Sequence, residues 1–128
     1  MNAENSPPVL VVVTDLIFSS RISAEARALG QTIVMCRKPD LLAAALQEGV
    51  ASLLLLDLNC DGLDCIGVIR SVRAAANPPR IVAFFSHVQE ELGARALQAG
   101  ADRVIPRSRF VKELPELLRF AGRAGDFI

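Results

Sequence analysis

Two aspartates in this chain each follow an apolar run. Asp57 ends Ser52-Leu53-Leu54-Leu55-Leu56-Asp57, and Asp15 follows Val9-Leu10-Val11-Val12-Val13-Thr14. Unbroken aliphatic runs of this length, bounded by Gly49 before and Asp61-Gly62 after in the case of Asp57, read as strands buried on both faces. Ligands of open parallel α/β sheets bind in the crevice beyond the carboxyl ends of the strands. Carboxylates ending two neighbouring strands would therefore form a small acidic pocket at the place where such a fold does its chemistry. Each has a plainer use as well. A turn aspartate is common after a strand, and Asp15 is equally suited to cap a following helix or to contact a metal.

The elements that must position these acids follow from periodicity. Strands are expected near residues 9–14, 32–36, 52–57, 80–85 and 102–106, with Ile81-Val82-Ala83-Phe84-Phe85 as a third continuous apolar run. Helical stripes lie between them. Ile22, Ala26 and Leu29 share a face that Gly30 ends as a left-handed cap. Pro39 suits a first helical turn, and Leu42, Ala45 and Leu46 follow it. Ile66, Ile69 and Val72 make the next stripe, ended by Asn77-Pro78-Pro79. Leu92, Ala96 and Ala99 make another, closed by Gly100. In the last segment Phe110, Leu114, Leu117, Leu118 and Ala121 keep the helical period, but Pro115 interrupts it. Because an internal proline removes a hydrogen bond and clashes with the preceding turn, residues 110–114 are expected to form a short turn and the regular helix to start near Pro115.

Strands joined by helical crossovers pair in parallel, and right-handed crossovers put helices on both faces. The expected fold class is α/β: a flavodoxin-like, doubly wound, five-stranded parallel sheet in the order 2-1-3-4-5. Its crevice lies between the first and third strands, at Asp15 and Asp57. Residues 1–8, polar and closed by Pro7-Pro8, are expected to be a flexible tail, and residues 9–124 one folded domain.

Composition sets bounds on function. The 128 residues suit one domain with a single core. A hydrophobic share of 52% supports a sheet covered on both sides. Fourteen basic and 14 acidic residues balance to zero net charge, so no direct nucleic-acid binding is expected. The cluster Arg103, Arg107, Arg109 and Lys112 reads as a solvated rim. No apolar run approaches a membrane span. Three cysteines, an odd count, without a signal peptide point to a reduced cytoplasmic protein. Cys60 and Cys65 lack zinc-knuckle spacing and read as packing thiols, with Cys60 open to modification if exposed. His87, the one histidine, reads as an exposed loop residue. There is no G-x-G-x-x-G, no G-x-x-x-x-G-K-[ST] and no nucleophile elbow, which argues against a flavodoxin-like ligand-binding enzyme.

Taken together, these residues resemble the receiver domain of bacterial two-component response regulators along nearly the whole chain. The resemblance rests on Val11-Val12-Val13-Thr14-Asp15, on the strand ending in Asp57, on Phe84-Phe85-Ser86 and on Ala96-Leu97-Gln98-Ala99-Gly100-Ala101-Asp102. It implies that Asp57 accepts a phosphoryl group from a histidine kinase or phosphotransfer protein. It implies Mg²⁺ bound by Asp15, Asp57 and the backbone carbonyl of Asn59, because a carboxylate attacks phosphorus only when a cation neutralises charge on the incoming group. It makes Ser86 the hydroxyl that reports phosphorylation, although Ser86 could equally cap a helix starting near Val88. Arg107 aligns with the family's active-site lysine.

The chain also departs from the family pattern. Thr14 stands where an acid is usual, Arg107-Ser108 replace Lys-Pro, Cys60-Asp61 replace Met-Pro, and Val104 replaces the switch aromatic. These mark an atypical member. The leading expectation is a phosphorylated switch, not an enzyme, signalling through protein contacts. The alternative is a pseudo-receiver: an interaction module that is not phosphorylated. A homodimer or partner face is expected on the fourth helix, fifth strand and fifth helix, at Leu92, Arg95, Val104, Arg109 and Lys112. With no output domain after the last helix, the effect is expected to pass through partners, unless the chain is an excised domain.

Overall fold

The computed structural model describes residues 7–60, 62–86 and 90–121, without the side chain of Phe120. Strands and helices alternate: β1 (Val9–Val12), α1 (Leu16–Ala28), β2 (Ile33–Met35), α2 (Pro39–Gln47), β3 (Leu53–Asp57), α3 (Cys65–Arg73), β4 (Arg80–Phe85), α4 (Glu90–Ala99), β5 (Arg103–Pro106) and α5 (Arg107–Phe120). The five strands form one sheet in the order β2-β1-β3-β4-β5, parallel throughout. The parallel pairing is what the crossovers require, and the order is the flavodoxin-like one expected. The strands of β1 and β3 are fully buried, as their unbroken aliphatic sequence requires.

Successive strand residues face opposite sides, and the core divides accordingly. Val9, Val11, Leu53, Leu55, Val82 and Phe84 pack with Phe18 and Ile22 of α1 and Phe110 and Leu114 of α5. Leu10, Leu54, Leu56, Ile81 and Ala83 pack with Leu42 of α2, Ile69 of α3 and Ala96 of α4. The same parity sends the Asp57 side chain to the α1 and α5 side, where the two helices start.

Some boundaries differ from the sequence reading. β1 ends at Val12, two residues short of the expected end, and Thr14 is exposed. The larger correction concerns Pro115. α5 is one continuous helix from Arg107 to Phe120 with Pro115 inside it, not a turn followed by a helix. An internal proline costs roughly 3 kcal/mol. Phe110, Leu114, Leu117 and Leu118 are all buried on one stripe, and at roughly 1.5–3 kcal/mol per buried large side chain their burial outweighs that cost.

Of the expected tail, residues 1–6 lie outside the described residues. The Pro7 carbonyl accepts from Gln31 Nε2 at 2.9 Å, and the Pro8 carbonyl accepts from the Ser52 amide at 3.3 Å. Gly30 has φ +68°, the left-handed cap expected of it. Gly100 has φ +125°, and a Cβ there would lie 2.7 Å from Arg73 Cγ. Both backbone and space call for glycine at the turn into β5.

Candidate functional site

Asp57 is the last residue of β3 and is 3% exposed. A buried carboxylate needs partners, and both of its oxygens have them. Oδ1 accepts from the Asn59 amide at 2.8 Å, which folds the chain back at the strand end. Oδ2 accepts from Arg107 Nη2 at 3.3 Å.

Asp15 lies next to this pair because β1 and β3 are neighbours. Its Oδ1 accepts from the Phe18 amide at 3.1 Å, so Asp15 is the N-cap of α1. Its Oδ2 lies 3.7 Å from Arg107 Nη1, an ion pair longer than a hydrogen bond. The capping use and a site-facing oxygen are thus both present in one side chain.

Arg107 opens α5 directly after Pro106, which brings its side chain to the ends of β1 and β3. Its guanidinium spans the two aspartates, one nitrogen to each. It also lies over the Phe18 ring, 4.3 Å from the centroid, a cation–π contact. Arg107 Nε is buried without a hydrogen-bond partner. The residue is 29% exposed at the side chain, so it closes the pocket from above rather than from within.

Ser86 and Asn59 form the rim. The Ser86 amide and Oγ both donate to Asn59 Oδ1, at 2.7 and 3.1 Å. The sequence reading assigned Asn59 only a backbone role, and the structure adds a side chain holding the residue after β4. Beside the rim runs a groove of about 590 Å³ lined by Phe85, Ser86, Pro106, Arg107, Ser108, Val111 and Lys112. His87, and the helix start expected near Val88, lie outside the described residues.

The basic cluster is not a plain solvated rim. Arg103 donates to Glu113 at 2.7 and 3.3 Å, and Arg109 pairs with the same carboxylate. The hydrogen bond from Arg103, with help from Arg109, holds the Glu113 carboxyl below its ordinary range. Arg109 and Lys112 stay exposed as the sequence suggested, Arg109 while paired with Glu113, whereas Arg103 and Arg107 are half-buried.

Phe18 was missed as a site residue. It lies one turn before Ile22 on the same stripe, so periodicity finds it as core but not as a platform for Arg107.

All three cysteines are free and buried. Burial pushes the Cys65 thiol up to about 12, and pushes the Cys36 thiol up as well. The packing reading of Cys60 and Cys65 therefore agrees with the structure. Folded protein at pH 8 is expected to resist iodoacetamide, and unfolding in urea is expected to release three alkylations. Fast alkylation of the native chain, read by intact mass, would contradict this burial. A raised thiol also sets a sign for stability. Above pH about 9 the unfolded chain loses a proton that folded Cys65 keeps. Stability should therefore fall between about pH 9 and 12.

Among the described residues no group of three or more His, Cys, Asp and Glu side chains is arranged to hold a metal. For the Mg²⁺ that the resemblance implies, the donors have the right chemistry: two carboxylates and a carbonyl are hard oxygen ligands. Asp15, Asp57 and Asn59 fit it in kind. The charge they present, however, already faces the Arg107 guanidinium.

No family model matches the chain. A protein-glutamate methylesterase/protein-glutamine glutaminase of Myxococcus xanthus is 36% identical over 121 residues, covering 88% of this chain. The chain spans 34% of that protein's length. Solved structures match more widely. A receiver domain from Bermanella marisrubri is 23% identical with a TM-score of 0.79, covering 91% of this chain and 98% of that one. A CheY-like receiver domain from Methanospirillum hungatei is 14% identical with a TM-score of 0.76, covering 94% and 100%. The chain has the receiver-domain fold.

Proposed function

We propose that this chain is a receiver domain of two-component signalling, phosphorylated on Asp57 by a partner histidine kinase or phosphotransfer protein. It acts as a switch through protein contacts, not as an enzyme on a metabolite. The observation that carries this reading is the buried Asp57 at the carboxyl end of the third strand, with Arg107 on one oxygen and the Asn59 amide on the other. The Myxococcus relative and the receiver folds support it. We take residues 9–124 as the domain, of which residues 122–124 lie outside the described residues, and the reduced thiols suit the cytoplasm. Among the described residues no helix is long and apolar enough to cross a membrane.

The chemistry follows from the site. An Asp57 oxygen forms a bond to phosphorus as the bond from phosphorus to the donor's imidazole nitrogen breaks. The electron pair returns to that nitrogen. The Arg107 guanidinium, already on Asp57, is placed to pair with the phosphoryl oxygens. The Ser86 hydroxyl lies on the same rim, and it reports the new group by leaving Asn59 Oδ1. Weak Mg²⁺ binding at Asp15, Asp57 and the Asn59 carbonyl would supply further charge neutralisation. Exposure to acetyl phosphate with Mg²⁺ should add one phosphoryl mass to the intact chain. No adduct with a folded protein would leave the pseudo-receiver.

Thr14→Asp is expected to tighten Mg²⁺ binding about tenfold, since added ligand charge favours a hard cation. Calorimetric titration of the folded variant measures it, and an unchanged affinity would place the metal elsewhere.

The output is read on α4, β5 and α5. Val104 on β5 packs close to α4, where a Cβ on Gly93 would lie 3.5 Å from Val104 Cγ1. A stiff, half-buried valine has little to swing, so the signal passes through Arg107 and the loop after Ser86. Residues 87–89 of that loop lie outside the described residues. The partner or dimer face includes Leu92, Arg95, Val104, Arg109 and Lys112. Arg95 and Lys112 are its exposed cations, whereas Arg109 is tied to Glu113. Reversing charge at Arg95 and Lys112 is expected to weaken self-association in sedimentation or capture of the kinase. If neither moves and the fold survives, the face lies elsewhere.

A further inference from the structure

We infer that the Arg107 guanidinium is a tethered cation that does the divalent metal's electrostatic work, so that Asp57 captures a phosphoryl group without Mg²⁺. This rests on the reading of Asp57 as the acceptor. A divalent metal at this site would have to draw on Asp15 and Asp57, and Arg107 already lies between them. Nη1 faces Asp15 Oδ2 at 3.7 Å and Nη2 faces Asp57 Oδ2 at 3.3 Å. The fork geometry makes this possible. A guanidinium presents two nitrogens in one plane, whereas a lysine ammonium is a single compact point of charge. The Phe18 ring under its Cζ, 4.3 Å from the centroid, adds a cation–π contact that holds the guanidinium at the site. The third acid that would favour a dication is missing, because exposed Thr14 stands before Asp15. The remaining charge of the site is thus two carboxylates against one built-in cation. A dication entering between the carboxylates competes with Arg107 for Asp15 Oδ2 and Asp57 Oδ2. Weak metal binding and metal-independent capture are two consequences of the same contact.

The probe is beryllium trifluoride, a phosphoryl mimic in which an Asp57 oxygen gives an electron pair to beryllium and displaces its bound water. Bound fluorine signals are followed by NMR in EDTA and in Mg²⁺, with Mn²⁺ titration by electron paramagnetic resonance as a second readout. The wild type is expected to form the adduct in both conditions. Arg107→Lys, which keeps one positive charge but not the fork, is expected to need Mg²⁺. Arg107→Gln is expected to bind Mn²⁺ about tenfold more tightly than the wild type, since a unit positive charge beside the ligands is gone. Circular dichroism checks the fold of both variants. A wild-type adduct that forms only with Mg²⁺ would overturn the tethered cation and leave Asp57 as acceptor. No adduct in any condition would remove the acceptor reading itself. Mn²⁺ affinity unchanged in folded Arg107→Gln would overturn the competition whichever way the adduct behaves.

Discussion

Asp57→Asn is expected to abolish the phosphoryl adduct completely, with acetyl phosphate as donor and intact mass as readout. The amide keeps the shape of the carboxylate, but its single oxygen can accept from only one of the two donors, the Asn59 amide or Arg107, and its NH2 faces the other. What it loses is the negative charge and the lone-pair nucleophilicity that attack phosphorus. The other described carboxylate at the site is Asp15. It is a poor substitute, since one oxygen caps α1 and its side chain is 44% exposed. Labelling that survives Asp57→Asn would move the acceptor to another residue. The variant should also be read for fold. Arg107 then faces a neutral partner, but it keeps Asp15, Phe18 and part of its hydration, so the chain is expected to stay folded.

The sheet and the acid pair were legible in the sequence for one physical reason. A strand buried on both faces must be apolar throughout, so its first charged residue marks its end. That located Asp57, and the same argument on β1 located Asp15 to within the helix cap. Parallel pairing followed from the crossover connections, whereas the strand order came from the flavodoxin-like fold class. Contacts between distant side chains were not legible. Nothing in Asn59 announces that its Oδ1 will accept from both the amide and the hydroxyl of Ser86. Nothing in Phe18 distinguishes a core ring from a platform under a guanidinium. Arg107 stood out only by its alignment, whereas its reach to two carboxylates depends on α5 beginning at once after β5. The reading that broke the last helix at Pro115 deferred that start. Local propensity was outvoted there by a buried stripe that only the tertiary structure shows at full weight.

That stripe meets the site through three aromatic rings, and the second large effect is expected at their centre. Phe84 is fully buried, stacked on Phe110 with centroids 4.1 Å apart and tilted against Phe18 at 5.3 Å. Phe18 also touches Phe110 at 5.8 Å, so the three rings close a triangle between β4, α1 and α5. Phe84→Ala removes the member that belongs to the sheet. Truncating a buried phenylalanine costs about 3–5 kcal/mol, since the lost transfer energy is joined by the cavity left behind. Against a total stability of roughly 5–15 kcal/mol, that is a large fraction. Urea denaturation should show a much lower midpoint with an unchanged slope. Phe85→Ala is the control, because Phe85 is half-buried at the groove and its truncation leaves no closed cavity. The Phe84 variant should also loosen Phe18, and with it the plane on which Arg107 rests. A loss below about 1 kcal/mol at Phe84 would mean that the surrounding aliphatic residues collapse into the space, and that the rings do not hold the site.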